Sequence, residues 1–254
     1  MFVACSTLCF GRLPLEEALD IIAELEFSKF EAALHERGCQ LRPSEVVSDI
    51  NRTAARLRHG PGLTPATFSV EIEAANAAEH DRQFKAICRL ARISAVPLIT
   101  VKAAPVGTRL DSEIKRLQYL VDLAAADGIQ LSVSTIIGTL TEDPEVALTL
   151  CQHVRGLALT LDPSHYIAGP HAGKSYDALY PYVKHVHLRD TGRGPNQLQV
   201  RVGQGEVEYG RIITQLSRYQ YDRGLCVDIH DVPDASFPMQ AEVRKLKYLL
   251  ESLV

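Results

Sequence analysis

The sequence predicts an α/β fold, a single-domain (β/α)8 TIM barrel, on three observations. Short apolar runs alternate from end to end with longer amphipathic segments, the pattern of parallel strands joined by crossover helices. About eight such pairs fit into 254 residues, the usual size of such a barrel. No Ser-, Gly- or Pro-rich linker, low-complexity tract or shift in composition divides the chain, so residues 1–254 read as one domain. An open doubly wound sheet is the competing arrangement. It would usually carry a Gly-rich phosphate turn after its first strand, and Cys5-Ser6-Thr7-Leu8-Cys9-Phe10-Gly11-Arg12 contains neither GxGxxG nor GxxxxGK[ST].

The first pair is Phe2-Ser6 and Pro14-Leu25. In the latter, Leu15, Leu19, Ile22 and Leu25 form one stripe at the helical period, while Glu16, Glu17, Asp20 and Glu24 face away. Lys29-Leu34 with Pro43-Arg58 and Thr67-Ile72 with Ala78-Ser94 follow in the same alternation. Leu98-Ala103 leads into Asp111-Ala126, which opens on a capping Asp with an early acid, should bury Ile114, Leu117 and Val121, and stops at Gly128. The remaining pairs are Gln130-Thr135 with Asp143-His153, Gly156-Leu161 with Lys174-Tyr182, His185-Leu188 with Tyr209-Tyr219, and Leu225-Ile229 with Met239-Leu253.

Composition narrows the function. A hydrophobic content of 46% supplies a large core, and no apolar stretch approaches the roughly 20 residues of a membrane span. The net charge of −4, the interspersed basic residues, the lack of Trp and an aromatic content of 6% argue against a nucleic-acid partner. The N-terminus has no basic region of a secretory signal, which leads us to expect a cytoplasmic protein. Cys5, Cys9, Cys39, Cys88, Cys151 and Cys226 are dispersed without CxxC spacing, so buried thiols are expected rather than disulfides or a zinc knuckle.

In a parallel barrel the functional groups gather where the strands end. The candidates at those ends are Glu71 or Glu73, Lys102, Ser134, Asp162, His165, His187, and Asp228 or His230. Asp162, ending the apolar run before it, would be costly to bury unpaired and should meet a cation, a hydrogen-bonding partner or a ligand; alternatively it caps the loop before Pro163. His165 reads as a loop histidine. His185 and His187 share a parity on their strand and point to one side, inward if a site lies there. Asp190 either orients His187 or Arg189, or caps its loop. Arg193 sits in Thr191-Gly192-Arg193-Gly194-Pro195, a loop able to reach a hydroxyl or phosphate.

These residues resemble the xylose-isomerase-like barrels, a family of sugar and sugar-phosphate isomerases and epimerases. The resemblance spans nearly the whole chain. It is carried by Leu159-Thr160-Leu161-Asp162-Pro163-Ser164-His165, Val183-Lys184-His185-Val186-His187-Leu188-Arg189-Asp190, Val202-Gly203-Gln204-Gly205-Glu206-Val207 and Gly138-Thr139-Leu140-Thr141-Glu142-Asp143-Pro144. It implies one divalent cation (Mn, Mg or Zn) held by Glu, Asp, His and Glu from strands five to eight, with the two Glu residues moving the proton.

In this chain Ser134 stands at the first Glu position, Ile136 where a His is common, and Asp228 at the second Glu position. The implied metal ligands are Asp162, His187 and Asp228. The implied catalytic residues are Asp228 and His165, and His165, Arg193, Lys102 and Glu71 are the expected substrate contacts. The implied activity is isomerisation or epimerisation of a small hydroxylated carbonyl compound with reduced metal dependence. The alternative, raised by Ser134, is a non-catalytic barrel that keeps a polyol pocket. A nuclease is disfavoured because the nine His residues do not supply a three-zinc cluster at strand ends. A sugar-like small molecule is the expected partner, with a homo-oligomer left open.

Overall fold

The computed structural model describes all residues except 61, 195–196 and 233–236, which leaves Pro195 of the Arg193 loop outside the described residues. Eight parallel strands close into a barrel in sequence order: β1 (Phe2–Ser6), β2 (Lys29–His35), β3 (Thr64–Glu71), β4 (Leu98–Lys102), β5 (Gln130–Ser134), β6 (Ala158–Leu161), β7 (Val183–Leu188) and β8 (Gly224–Val227). Closure comes from β1 pairing with β8, Phe2 opposite Gly224 through Cys5 opposite Val227.

The helices lie on the outside: α1 (Leu15–Glu24), α2 (Pro43–Ser48), α3 (Ile50–Arg56), α4 (Ala77–Ile93), α5 (Leu110–Ala126), α6 (Pro144–His153), α7 (Ser164–Ile167), α8 (Tyr209–Arg218) and α9 (Met239–Glu251). The stripe expected on α1 is buried at Leu15, Leu19, Ile22 and Leu25. Burying four such side chains against the barrel contributes roughly 1.5–3 kcal/mol each, an amount no single hydrogen bond of the surface matches.

The structure departs from the sequence reading at four places. The segment expected as one helix over Pro43-Arg58 breaks at Asp49, whose extended backbone ends α2 and whose side chain accepts the Arg52 N–H to cap α3. The Lys174-Tyr182 segment is a 3-10 helix over Asp177–Tyr182, because Pro181 removes a donor from any longer helical ladder. In α5 the cap is Arg109, with Asp111 in the first turn. Ile114 is only partly buried, whereas Glu113 is fully buried, accepting the Ala104 N–H at 2.9 Å and pairing with Arg116 at 2.7 Å. Of the six cysteines, all free, Cys39 is exposed, its thiol 3.2 Å from the carbonyls of Gly11 and Leu13.

The barrel interior is not purely aliphatic. Thr160 places its hydroxyl 2.8 Å from that of Thr100 and 2.7 Å from that of Ser132, joining β4, β5 and β6 across the lumen. Above this layer the C-terminal strand ends open into a hollow.

Candidate active site

The hollow has a volume of about 170 Å3 and is lined by Asp162, His165, His187, Arg189, Asp228 and His230, together with Lys102 and Ser134. Its position follows from strand polarity: each of these residues lies at, or just beyond, the C-terminal end of its strand.

Glu31, in the middle of β2, lies beneath the hollow and was not singled out from the sequence. It is fully buried and takes hydrogen bonds from Thr67 Oγ1 at 3.0 Å and from the imidazoles of β7. His185 Nε2 lies 2.9 Å from Glu31 Oε2, and His187 Nε2 lies 2.9 Å from Oε1 and 3.0 Å from Oε2. The two rings meet edge to face at 5.0 Å, so the shared parity does turn both inward. Burial alone would raise the Glu31 carboxyl, but the charge of His187 and the hydrogen bonds from both rings hold it far below the usual carboxylate range. Burial disfavours protonated His187, yet Glu31 and then Asp228 push its pKa up to about 9. His185 is held below its ordinary value by burial, against the pull of Glu31. One imidazolium and one neutral imidazole thus share a single carboxylate.

Asp162 fulfils both of its expected roles at once. Its Oδ1 accepts the Ser164 N–H at 3.0 Å and starts the one-turn helix α7, while Oδ2 accepts from Arg189 Nη2 and lies 3.4 Å from His165 Nε2. Burial works against the charged form, but Arg189 and then His165 hold the Asp162 carboxyl far below its ordinary range. His165 is not a solvent-exposed loop residue; it is buried in α7, and its Nδ1 accepts the Ile137 N–H at 3.2 Å. That bond leaves the neutral ring's proton on Nε2, facing Asp162. On the other wall, Asp228 Oδ2 lies 3.0 Å from His230 Nε2 and 3.7 Å from His187 Nδ1. Gln199 fixes His230 by accepting its N–H at 2.7 Å and donating to its carbonyl at 2.9 Å.

The other candidates lie further out or turn away. Ser134 points its hydroxyl at the Val101 carbonyl, 3.3 Å away, and Ile136 lines the hollow. Lys102 reaches the hollow but is paired at 2.7 Å with Glu71, which is not part of its lining. Glu73 pairs with Arg37 at 2.8 Å. Arg193, 81% exposed, pairs with Glu206 at 2.9 Å in a separate surface cleft that it shares with Lys174 and Arg211.

Asp190 serves its loop. It accepts N–H groups from Thr191 at 3.0 Å, Gly203 at 2.6 Å and Gly205 at 3.0 Å. The Val202-Gly203-Gln204-Gly205 motif is therefore a clasp around a buried carboxylate. A Cβ on Gly205 would lie 2.2 Å from Asp190 Oδ1 and 2.6 Å from the Thr191 carbonyl. Gly205→Ala should lower stability by about 1–3 kcal/mol in denaturant titrations, and a neutral result would show that the clasp is dispensable.

Asp162, His187 and Asp228 offer ligand atoms that all lie within 4.8 Å of one another, close enough to gather around a divalent cation. As the side chains stand, however, the set does not fit one. The guanidinium of Arg189 takes Asp162 Oδ2 and lies 3.8 Å from Asp228 Oδ2, and the fifth strand contributes a neutral hydroxyl directed elsewhere.

With the geometry in view, comparison with known proteins places the chain. Solved structures share the whole fold at low identity. A xylose isomerase-like TIM barrel protein from Mycobacterium smegmatis in complex with magnesium superposes with a TM-score of 0.76 at 18% identity, covering 99% of this chain and 97% of its own. The 3-keto-D-glucoside 4-epimerase of E. coli gives a TM-score of 0.74 at 17% identity and covers 99% of each chain. A probable 3-DHS dehydratase from Bacillus anthracis gives 0.70 at 17% identity, covering 97% of this chain and 98% of its own. No curated protein matches at the sequence level. The sequence pattern of the xylose isomerase-like TIM barrel matches residues 19–249, and the chain belongs to that family.

Proposed function

We propose that this protein is an isomerase or epimerase of a small hydroxylated carbonyl compound, moving a proton at the carbon beside the carbonyl. The observation that carries this reading is the convergence of the carboxylates of Asp162 and Asp228, the cationic Arg189 and His187, and the imidazoles of His165 and His230 on one small hollow at the barrel mouth. Removing a C–H proton beside a carbonyl leaves negative charge on the carbonyl oxygen, and fixed positive groups lower that barrier most when they are already in place. Arg189 and protonated His187 stand there, held by Asp162 and Glu31.

The proton needs a carrier with one side open to the hollow. His230 has a side chain 43% exposed and is oriented by Asp228 at 3.0 Å, so this pair is the acid/base candidate. His165, with both ring nitrogens engaged, is better suited to donate to a substrate hydroxyl than to take a proton from carbon. Structural likeness to 3-keto-D-glucoside 4-epimerase and L-ribulose 3-epimerase supports the same class of chemistry.

Incubating the protein in D2O with a panel of ketoses and α-hydroxy carbonyl acids, followed by NMR, tests the proposal. Deuterium should enter at the carbon beside the carbonyl of at least one compound. The alternative of a non-catalytic polyol-binding barrel is favoured by Ser134, whose hydroxyl faces backbone instead of the hollow. Binding of a panel member without exchange would establish that alternative and reject the first.

A further inference from the structure

β7 presents three residues of one parity to the barrel axis: His185, His187 and, just past the strand end, Arg189. The third is a buried arginine, which needs a specific partner to be tolerated. Its Nη2 donates to Asp162 Oδ2, lies 3.8 Å from Asp228 Oδ2 and is 3.5 Å from His165 Nε2. The guanidinium thus lies against Asp162 and Asp228, two of the three residues of that candidate ligand set. A divalent ion there would need Asp162 Oδ2 for itself and would stand beside a permanent unit charge, because a guanidinium does not release its proton under biological conditions. The strand-five position offers no anion to offset that repulsion.

Two atoms of this same pair remain to be satisfied. Arg189 Nε and Asp228 Oδ1 are buried and have no hydrogen-bonding partner among the described residues. One is a donor and the other an acceptor. Both are closed to solvent as the side chains stand; once either side chain rotates toward the hollow, a molecule carrying a carbonyl oxygen next to a hydroxyl group complements the two, accepting from the first and donating to the second.

We infer that Arg189 takes the place of the divalent cation, as the resident positive charge between Asp162 and Asp228, and selects a substrate with adjacent carbonyl and hydroxyl oxygens. The inference deepens the proposed function and rests on it for the nature of the substrate, but not for the exclusion of the metal. A guanidinium differs from an ion in what it demands. It reads oxygens through directional N–H groups in one plane, so the site would favour flat, enol-like arrangements and would work in the presence of a chelator.

The test is titration of the 254-residue protein with Mn2+, followed by calorimetry and by electron paramagnetic resonance of the free ion. Wild-type protein should show no saturable binding into the millimolar range. Arg189→Met should open a one-to-one site at least roughly tenfold tighter, and adding Asp162→Asn should abolish it. Arg189→Lys, which keeps the charge, should still exclude the ion. Saturable one-to-one binding by the wild type, or an Arg189→Met variant no better than wild type, would overturn the inference. Circular dichroism checks that each variant is folded, and if Arg189→Met is not, the wild-type and Arg189→Lys titrations decide. Failure of the functional reading looks different: no deuterium exchange with any panel member, while wild type excludes Mn2+, would leave the role of Arg189 standing. Exchange that occurs only with added Mn2+ would do the reverse.

Discussion

Glu31→Ala should cost about 3–5 kcal/mol of unfolding free energy, the range for stripping one partner from a buried charged network. Three groups lose their acceptor together: Thr67 Oγ1, His185 Nε2 and His187 Nε2. None has solvent to turn to, since His185 and His187 are buried on the barrel axis. Glu31→Gln keeps the volume but points an amide N–H2 toward ring N–H groups on at least one side, so it should recover only part of the loss. Chemical denaturation followed by circular dichroism gives both values. A loss below about 1 kcal/mol for the alanine variant would mean that the imidazoles find other partners and that the network is not what holds the floor of the hollow.

Alkaline pH should act on the same network. His187 titrates near 9 in the folded protein, against an ordinary value near 6.5, because the charges of Glu31 and Asp228 outweigh the cost of burying the imidazolium. A group whose folded pKa is raised contributes its stabilisation in full below the unfolded pKa and loses it as pH rises through the folded one. The contribution is therefore complete below about pH 6.5 and fades as the pH climbs toward and past about 9; a shift of this size corresponds to something on the order of 3 kcal/mol. Melting temperatures of wild type and His187→Gln measured across that window check it. The gap between the two proteins should narrow as pH rises, and a constant gap would show that His187 is neutral throughout.

The barrel could be read from the chain because its signal is repeated: each strand is a short apolar run, each helix an amphipathic one, and any single boundary error leaves the alternation intact. Asp162, His187 and Asp228 were legible for a related reason, as polar groups placed where apolar strands stop. Glu31 escaped because it lies inside Phe30-Glu31-Ala32-Ala33-Leu34, where a lone acid in a strand looks like an outward-facing residue. The clue was present, since a strand buried on both faces has no outward side on which a carboxylate could escape desolvation.

Arg189 was legible within His187-Leu188-Arg189-Asp190, because the parity that turns His185 and His187 inward extends to it unchanged. Arg193 was harder to judge. The family resemblance implied a substrate contact, whereas the fold sends Arg193 to Glu206 on the surface, and loop direction has no periodicity from which to read it. The break at Asp49 and the clasp of Gly203 and Gly205 around Asp190 are likewise products of side-chain to backbone bonds, which leave little trace in hydropathy.

The hydroxyl layer of Thr100, Ser132 and Thr160 bears on how the mouth behaves before anything enters it. Aliphatic side chains slide past one another with little penalty, but hydrogen bonds fix both spacing and direction, so three neighbouring staves are pinned at mid-height like hoops on a cask. The walls above inherit that stiffness. A visiting molecule then meets a rigid mould instead of shaping a soft one, and little of its affinity is lost to ordering the protein.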